Sequence, residues 1–275
     1  MKRLSWAGVL SFVLIGVCAN AAQHVADSEE AVRADAARAM VEQEIKKLGA
    51  HPWAGYYTDS VVNLWIAPGA GFAYEVHGCM GIYDRNYGKV SVSGGKLQFQ
   101  SVLPIENMFG ATVAPGLIPV VWGSRAYLIT SDDMIDFCNS VNRGFEPREG
   151  SCGCYLLRHA DANLPANEMP AVPDEYKRYL LKTPIQAKVI SVGETEPFRE
   201  YGMRNYRTRL VVDVGSKQGL LAGMELAPIQ PDNAYGDLTV LSVKDGQAEA
   251  EFVGYSRRPK PSAGWVFSTR PYSIE

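Results

Sequence analysis

Cysteine and histidine are the residue types in this chain that could carry out chemistry. His77-Gly78-Cys79 separates an imidazole from a thiol by one residue, and Cys152-Gly153-Cys154 is followed by His159. Zinc and copper accept both kinds of ligand. One hypothesis is therefore a metal site that comprises His77, Cys79, Cys152, Cys154 and His159. The spacing argues against it, because structural zinc motifs usually separate their cysteines by two residues.

Two other reactions use the same residue types. A strained dithiol at Cys152 and Cys154 could be a redox pair, but redox enzymes place such a pair at a helix N-terminus of a βαβ fold, and this sequence is rich in strands. A hydrolase could use His51, His77 or His159 as its base. The chain has no Gly-x-Ser-x-Gly motif and no nucleotide-binding loop. We therefore assign no catalytic residue and no cofactor.

The cysteines have a simpler interpretation as disulfide partners. Four follow the apolar N-terminal run, and an even number in an exported chain indicates disulfides. The candidates are Cys79, Cys138, Cys152 and Cys154. A bond between Cys152 and Cys154 would close a very tight ring. We therefore predict that Cys138 bonds one of that pair and Cys79 the other. A disulfide that closes a loop of about fifteen residues stabilises the folded protein by about 3 kcal/mol, because it lowers the entropy of the unfolded chain.

The first residues predict export. Met1-Lys2-Arg3 is basic, Leu4 to Cys18 is apolar apart from two serines, and Ala19-Asn20-Ala21 has the small-x-small form that signal peptidase cuts. Residues 1–21 are thus predicted to be the signal peptide of a bacterial periplasmic or secreted protein. The run is shorter than the ~20 residues that span a bilayer, so we expect no membrane span after cleavage. Lipid attachment at Cys18 is an alternative that the β-branched residue before it disfavours.

The charge argues against one large class of function. The chain of 275 residues has 27 basic and 30 acidic side chains and a net charge of −3. Binding of nucleic acid needs a basic face that displaces counterions. We therefore expect no nucleic-acid partner. The apolar fraction of 47% is that of an ordinary globular protein.

One long helical pattern precedes the strands. Apolar residues recur at steps of three and four, as at Ala31, Val32 and Ala36. Acidic residues lie in the first turn and Lys46-Lys47 in the last, which the helix dipole favours. We predict a helix over residues 27–49 that packs on its own domain.

Residues 50–162 change to short alternating strands. Turns such as Pro68-Gly69-Ala70-Gly71 and Gly94-Gly95 separate them, which indicates an antiparallel meander. We predict an N-terminal β-barrel or sandwich. Ser131 resembles a helix N-cap and Gly144 a stop, so this domain also contains one inserted helix.

Aromatic residues are concentrated in the first strands of this domain. Aromatic side chains on a β surface can bind an apolar ligand, a glycan or a peptide. The candidate binding residues are Trp53, Tyr56, Tyr57, Trp65 and Tyr74. The alternative is that they form the core and cross-strand pairs.

Prolines in residues 163–174 predict a linker to a second domain. Residues 175–275 then contain about six short strands, of which the first alternates from Ile185 to Val192 and the second from Tyr206 to Val214. Strands at this spacing predict a small β-barrel. A basic cluster in this domain could bind an anionic envelope polymer or be a solvated loop face. It consists of Arg204, Arg207, Arg209, Arg257, Arg258 and Lys260.

The second domain also contains a recognisable order of loop and strand. Val214-Gly215-Ser216 is followed by Gly219-Leu220-Leu221-Ala222-Gly223-Met224 and then by the strand-forming residues 236–240. In this order, residues 206–254 resemble the small β-barrel modules of bacterial cell-envelope scaffold proteins. The resemblance implies a compact barrel.

Together these observations predict a mainly β protein with a leading helix, one inserted helix and a small C-terminal barrel. Its expected function is that of an exported, non-enzymatic binding or interaction protein of the bacterial cell envelope. The partner would be an envelope protein, a peptide or a glycan. The alternative is a secreted enzyme or a metal-handling protein that uses the cysteine and histidine residues.

Overall fold

The computed structural model describes residues 29–59, 61–103, 116–145, 155–200 and 202–271. The predicted signal peptide, Cys18, Cys152 and Cys154 lie outside these residues. The chain folds into two compact units, and each contains a closed antiparallel barrel. The mainly β fold with a leading and an inserted helix is thus confirmed. The chain passes into the second unit after Asp133 for the inserted segment, and again after Ala171, within the predicted linker.

Eight strands form the first barrel, each pairing antiparallel with the next, and the first pairs with the last. They are β1 (Gly55–Thr58), β2 (Val62–Ala67), β3 (Gly71–Gly78), β4 (Gly81–Ser93), β5 (Lys96–Ser101), β6 (Gly116–Trp122), β7 (Arg125–Ile129) and β8 (Tyr155–Arg158). The predicted turn at Gly94 and Gly95 joins β4 to β5. Both glycines have positive φ, 56° and 76°, which a tight hairpin turn of type I′ requires.

The first barrel is filled by its own side chains. Because side chains alternate along a strand, every second residue points inward, and Tyr57, Leu64, Phe72, Leu97 and Leu128 are fully buried there. An eight-stranded barrel is just wide enough for such side chains. The interior is therefore a hydrophobic core.

The leading helix α1 (Glu29–Leu48) packs against β2, β3 and β4 of this barrel. The apolar part of the contact is small, as its alanine-rich sequence requires, and polar contacts add to it. Arg38 donates to Glu75 over 2.7 Å, and Arg85 donates to Asp35 over 3.2 Å. The predicted helix and its packing on its own domain are confirmed.

Six strands form the second barrel, in the spatial order β10-β13-β12-β11-β14-β9, with β9 also paired to β10. They are β9 (Gln186–Glu200), β10 (Met203–Val212), β11 (Glu225–Gln230), β12 (Gly236–Val243), β13 (Ala248–Tyr255) and β14 (Val266–Ser268). The strand β9 is 15 residues long and continues well past Val192, where its alternation was expected to end. It pairs with β14 only through its first three residues, Gln186, Ala187 and Lys188.

The inserted helix α2 (Met134–Asn142) groups with the second unit, although it follows β7 of the first barrel in sequence. Asn139 donates to the Gly223 carbonyl over 3.0 Å and accepts from the Glu225 amide over 3.1 Å. Asn142 donates to the carbonyl of Tyr179 over 2.8 Å, just after the short helix α3 (Asp174–Lys177). These amides fix α2 against the second unit.

The helices of the described residues are short or polar. None of the helices in the described ranges is both long and apolar enough to cross a membrane.

Candidate functional site

The five aromatic candidates divide between the two faces of the first barrel. Tyr57 and Tyr74 point inward and are only 0% and 4% exposed. The Tyr57 hydroxyl donates to the Trp53 carbonyl over 3.1 Å. Burial raises the pKa of both phenols above its usual value, so they are neutral at physiological pH. Trp53 is half-buried against the same core.

Tyr56 and Trp65 lie on the outer face and stack on each other, with ring centroids 4.9 Å apart. The Tyr56 hydroxyl donates to Asn63 over 2.6 Å, and the Arg38 guanidinium lies 5.4 Å from the Trp65 ring centroid. The two rings belong to directly opposite residues of β1 and β2. This geometry agrees with the cross-strand alternative, and ligand binding by these aromatics stays a prediction.

Both cysteines in the described ranges are free thiols. Cys79 is exposed in the turn between β3 and β4, where its sulfur lies 3.3 Å from the Tyr83 hydroxyl. Cys138 is fully buried in α2, and burial raises the pKa of its thiol to about 12. The disulfides predicted for Cys79 and Cys138 are therefore wrong for this structure. A protonated, buried thiol packs as a small hydrophobic side chain, which is how Cys138 contributes to α2.

Each histidine candidate already has a local partner. The ring of His51 accepts from the amides of Trp53 and Ala54, His77 lies 2.9 Å from a Glu75 oxygen, and His159 packs 5.2 Å from the Tyr56 ring. Within the described ranges, no three histidine, cysteine or acidic side chains gather as metal ligands. The metal hypothesis has no support from His77, Cys79 and His159, and Cys152 and Cys154 lie outside those ranges.

A groove in the second barrel brings basic residues together. It has a volume of about 700 Å³ and lies along the hairpin of β9 and β10 and the segment after β13. The side chains that give it its character are Phe198, Arg199, Arg204, Asn205, Tyr206 and Lys260. We call this feature the basic groove.

Three cations line the basic groove without a partner of opposite charge. Arg199 and Arg204 are directly opposite each other in the β9–β10 register, an arrangement that destabilises a strand pair when the charges are alike. Neither they nor Lys260 forms an ion pair with any described residue. Other exposed cations of the same unit do, since Arg209 contacts Glu251 at 3.3 Å and Lys217 contacts Asp245 at 3.0 Å.

Tyr206 is a buried residue in the lining of the basic groove. It is 2% exposed, and its hydroxyl donates to the Pro259 carbonyl over 2.6 Å. The Lys260 ammonium lies 5.9 Å from the Tyr206 ring centroid, close enough for a cation–π contact. The hydrogen bond from Tyr206 thus holds the segment that contains Lys260 in place. Because the Tyr206 ring is buried, a ligand cannot stack on it.

Asn205 lies between Arg204 and Tyr206 on β10 and has a buried side-chain oxygen. The residue is only 6% exposed, and its side-chain oxygen has no hydrogen-bond partner in the described part of the chain. A buried polar atom without a partner costs roughly 1–3 kcal/mol. This oxygen is itself shielded from solvent, so the feature that distinguishes the groove is its three positive charges without a described ion-pair partner.

Sequence reasoning found part of this site. Arg204 and Lys260 of the predicted basic cluster line the groove, whereas Arg207, Arg209, Arg257 and Arg258 do not. Arg207 instead lies over the Phe198 ring at 4.6 Å. Arg199 was missed because the first strand was expected to end at Val192, and Asn205 because the second was expected to begin at Tyr206. The turn signal at Gly202, which has φ of 78°, could have revealed the longer hairpin.

Comparisons of the chain with protein-family models, with curated proteins and with solved structures found no match. The resemblance of residues 206–254 to cell-envelope scaffold modules stays a prediction.

Proposed function

We propose that the protein is an exported, non-enzymatic binding protein of the bacterial cell envelope, and that the basic groove binds an anionic partner. The observation that carries the proposal is the set of Arg199, Arg204 and Lys260 around one groove, with no ion pair to a described residue. An anion between these cations would replace repulsion by charge-assisted hydrogen bonds, which are the strong ones.

The groove-lining side chains favour binding over catalysis. Among the described residues that line it, none is a histidine, a cysteine or a carboxylate. The hydroxyls of Thr195 and Ser256 would need such a base nearby to become nucleophiles. The Thr195 hydroxyl instead lies 2.9 Å from that of Thr208. The enzyme and metal-handling alternative has no comparable observation in its favour.

The export part of the proposal is supported by the sequence alone. Residues 1–21 have the basic, apolar and small-residue order of a signal peptide and lie outside the described ranges. We expect the protein recovered from the envelope fraction to begin at Ala22. N-terminal sequencing would detect this, and a chain that begins at Met1 in the cytosol would contradict it.

Binding is tested with the mature protein and polymers of matched length. Polyglutamate, polygalacturonate and dextran sulfate represent anions, and dextran is the neutral control. We expect at least one polyanion to bind, and the affinity to fall steeply with salt because the contact is ionic. Dextran should not bind.

Variants connect that binding to the groove. Arg204→Gln should weaken polyanion binding about tenfold or more, since a hydrogen bond to a charged group is worth roughly 1.5–3 kcal/mol. Arg257→Gln removes the same charge from an exposed residue that does not line the groove, and should change little. Equal losses in the two variants, or no binding of any polyanion, would overturn the proposal.

A further inference from the structure

We infer that the basic groove binds a terminal phosphate monoester, carried by a soluble molecule or by a lipid headgroup. Arg199, Arg204 and Lys260 are the residues that contact its oxygens. This inference rests on the proposed binding function and names the anionic group for that site. A phosphate monoester has a charge of about −1.5 to −2 at neutral pH and three terminal oxygens, whereas a carboxylate has one charge and two oxygens.

The two arginines lie on one face of the β9–β10 hairpin. Directly opposite residues of antiparallel strands project from the same face with their Cβ atoms about 4.5–5.5 Å apart, and Arg199 is directly opposite Arg204. Both side chains are exposed and line the groove. Each guanidinium presents a planar fork of N–H donors. One small oxyanion is therefore within reach of both arginines.

The segment after β13 adds the third cation from another direction. The amide of Ser256 donates to the carbonyl of Arg204 over 3.0 Å, and the Tyr206 hydroxyl donates to the carbonyl of Pro259 over 2.6 Å. These two hydrogen bonds hold both ends of the segment against β10. Lys260 follows directly, is exposed and lines the groove. The three cations thus come from three segments of the same unit.

The protein does not compensate these charges itself. Among the described residues, no carboxylate lines the groove and its three cations form no ion pair. The nearest carboxylates of β9 are those of Glu196 and Glu200, which are opposite Arg207 and Met203. Strand alternation places them on the face away from Arg199.

Charge and shape together favour the phosphate monoester over other anions. A single carboxylate would compensate one of the three positive charges. A ligand with two carboxylates has two charges, but they are several ångströms apart, whereas the opposed arginines meet at one place. A sulfate ester has the tetrahedral shape with one charge only. A phosphate monoester brings up to two charges to a single point and offers an oxygen to each cation.

Calorimetry with the mature protein tests the anionic group with four ligands built on one benzene ring. Phenyl phosphate is the monoester, phenyl sulfate has the same shape with one charge, benzoate has one carboxylate and phthalate has two. We expect phenyl phosphate to bind tenfold or more tightly than each of the others at pH 7.5. Binding of any of them as tight as that of phenyl phosphate would overturn the phosphate and leave the proposed function standing. Failure of all four ligands and of the polyanions would instead reject both proposals.

The second ionisation of a phosphate monoester gives an independent measurement. Its pKa is about 6, so the dianion predominates at pH 7.5 and is a minor species at pH 5. The affinity for phenyl phosphate should therefore fall about tenfold over this range, whereas that for phenyl sulfate, a monoanion throughout, should not. The described residues that line the groove include no histidine or carboxylate, the side chains that usually change charge there. Parallel profiles for the two ligands would contradict recognition of the dianion.

Vesicles distinguish the two sources of the phosphate. Phosphatidic acid has a terminal monoester, and phosphatidylglycerol is a diester with one charge; each is mixed into phosphatidylcholine vesicles and sedimented with the protein. Binding to phosphatidic acid alone identifies a lipid headgroup. Binding to neither lipid, together with binding of phenyl phosphate, identifies a soluble phosphate ester. Equal binding to both lipids would show that the protein responds only to surface charge and would overturn the monoester.

Variants connect phosphate binding to the three cations. Arg199→Gln and Arg204→Gln should each reduce the affinity for phenyl phosphate about tenfold, whereas Arg257→Gln should retain it. Lys260→Gln should reduce the preference for phenyl phosphate over phenyl sulfate, and Lys260→Arg, which keeps the charge, should retain that preference. Thermal melting shows that each variant is folded. An unchanged preference in Lys260→Gln would refute a site of three cations.

Discussion

The two barrels of this protein close in the same way but treat charge differently. Beneath α1, the buried carboxylate of Glu75 contacts both Arg38 and His77, and Asp35 pairs with Arg85. At the hairpin end of the second barrel, Arg199 and Arg204 oppose each other, and neither forms an ion pair with a described carboxylate. Paired charges hold a helix in place, whereas unpaired charges are available to a ligand. The first surface therefore has a structural role, and the second is the one at which we propose that a ligand binds.

The largest effect is expected from the core of the first barrel. Phe72→Ala should lower the free energy of unfolding by roughly 3–5 kcal/mol, because it removes a fully buried ring and leaves a cavity. Anion affinity at the basic groove should stay unchanged in the folded fraction. Denaturant titration and calorimetry measure the two quantities. A parallel loss of affinity under fully native conditions would contradict the division of roles.

Removing both arginines should have the next largest effect, on binding. The double variant Arg199→Gln/Arg204→Gln is expected to weaken anion binding by about 100-fold, or roughly 3 kcal/mol. The free protein should be as stable as before or slightly more so, because like charges no longer face each other. Calorimetry and thermal melting check both statements. A clear loss of stability would mean that the arginines hold the hairpin together.

The matched change beneath α1 should have the opposite pattern. Glu75→Gln removes the nearest and most buried carboxylate partner of Arg38, which keeps only its longer contacts to Asp35 and Glu42, and should lower the free energy of unfolding by roughly 1–3 kcal/mol. Anion affinity should not change. A double-mutant cycle with Arg38→Gln would measure the coupling, and a coupling energy near zero would show that this ion pair does not stabilise the helix.

Local signals predicted the elements of both barrels, and distant contacts decided the rest. The Gly94-Gly95 turn and the alternation around it set the register of a hairpin locally, so the meander was predictable. The unit to which α2 belongs was not, because Asn139 bonds to residues 84 and 86 positions further along the chain. The basic groove was predictable only in part. Arg204 was visible as part of a basic cluster, but its opposition to Arg199 depends on strand residues after Val192 that do not alternate.

The disulfides predicted for Cys79 and Cys138 were wrong for a similar reason. Cys138 also provides the prediction with the smallest expected effect. An even cysteine count says nothing about which thiols are buried. Cys138 is free and fully buried in α2, where burial raises its pKa from 9.0 to about 12. The unfolded chain therefore releases the thiol proton above pH 9, whereas the folded protein retains it until about pH 12. Stability contributed by this group is present below pH 9 and is lost as the pH rises through that window.

Cys138→Ala should remove this part of the alkaline destabilisation. Between pH 8 and pH 10 the free energy of unfolding of the unmodified protein should fall by about 1 kcal/mol more than that of the variant. The remaining decline includes Tyr57 and Tyr74, whose pKa values burial also raises, and it should appear in both proteins. Denaturant titrations at the two pH values give the difference. Parallel curves would mean that the thiol ionises equally in both states or is bonded in solution, and a disulfide from α2 would then have to be sought in the residues beyond the described ranges.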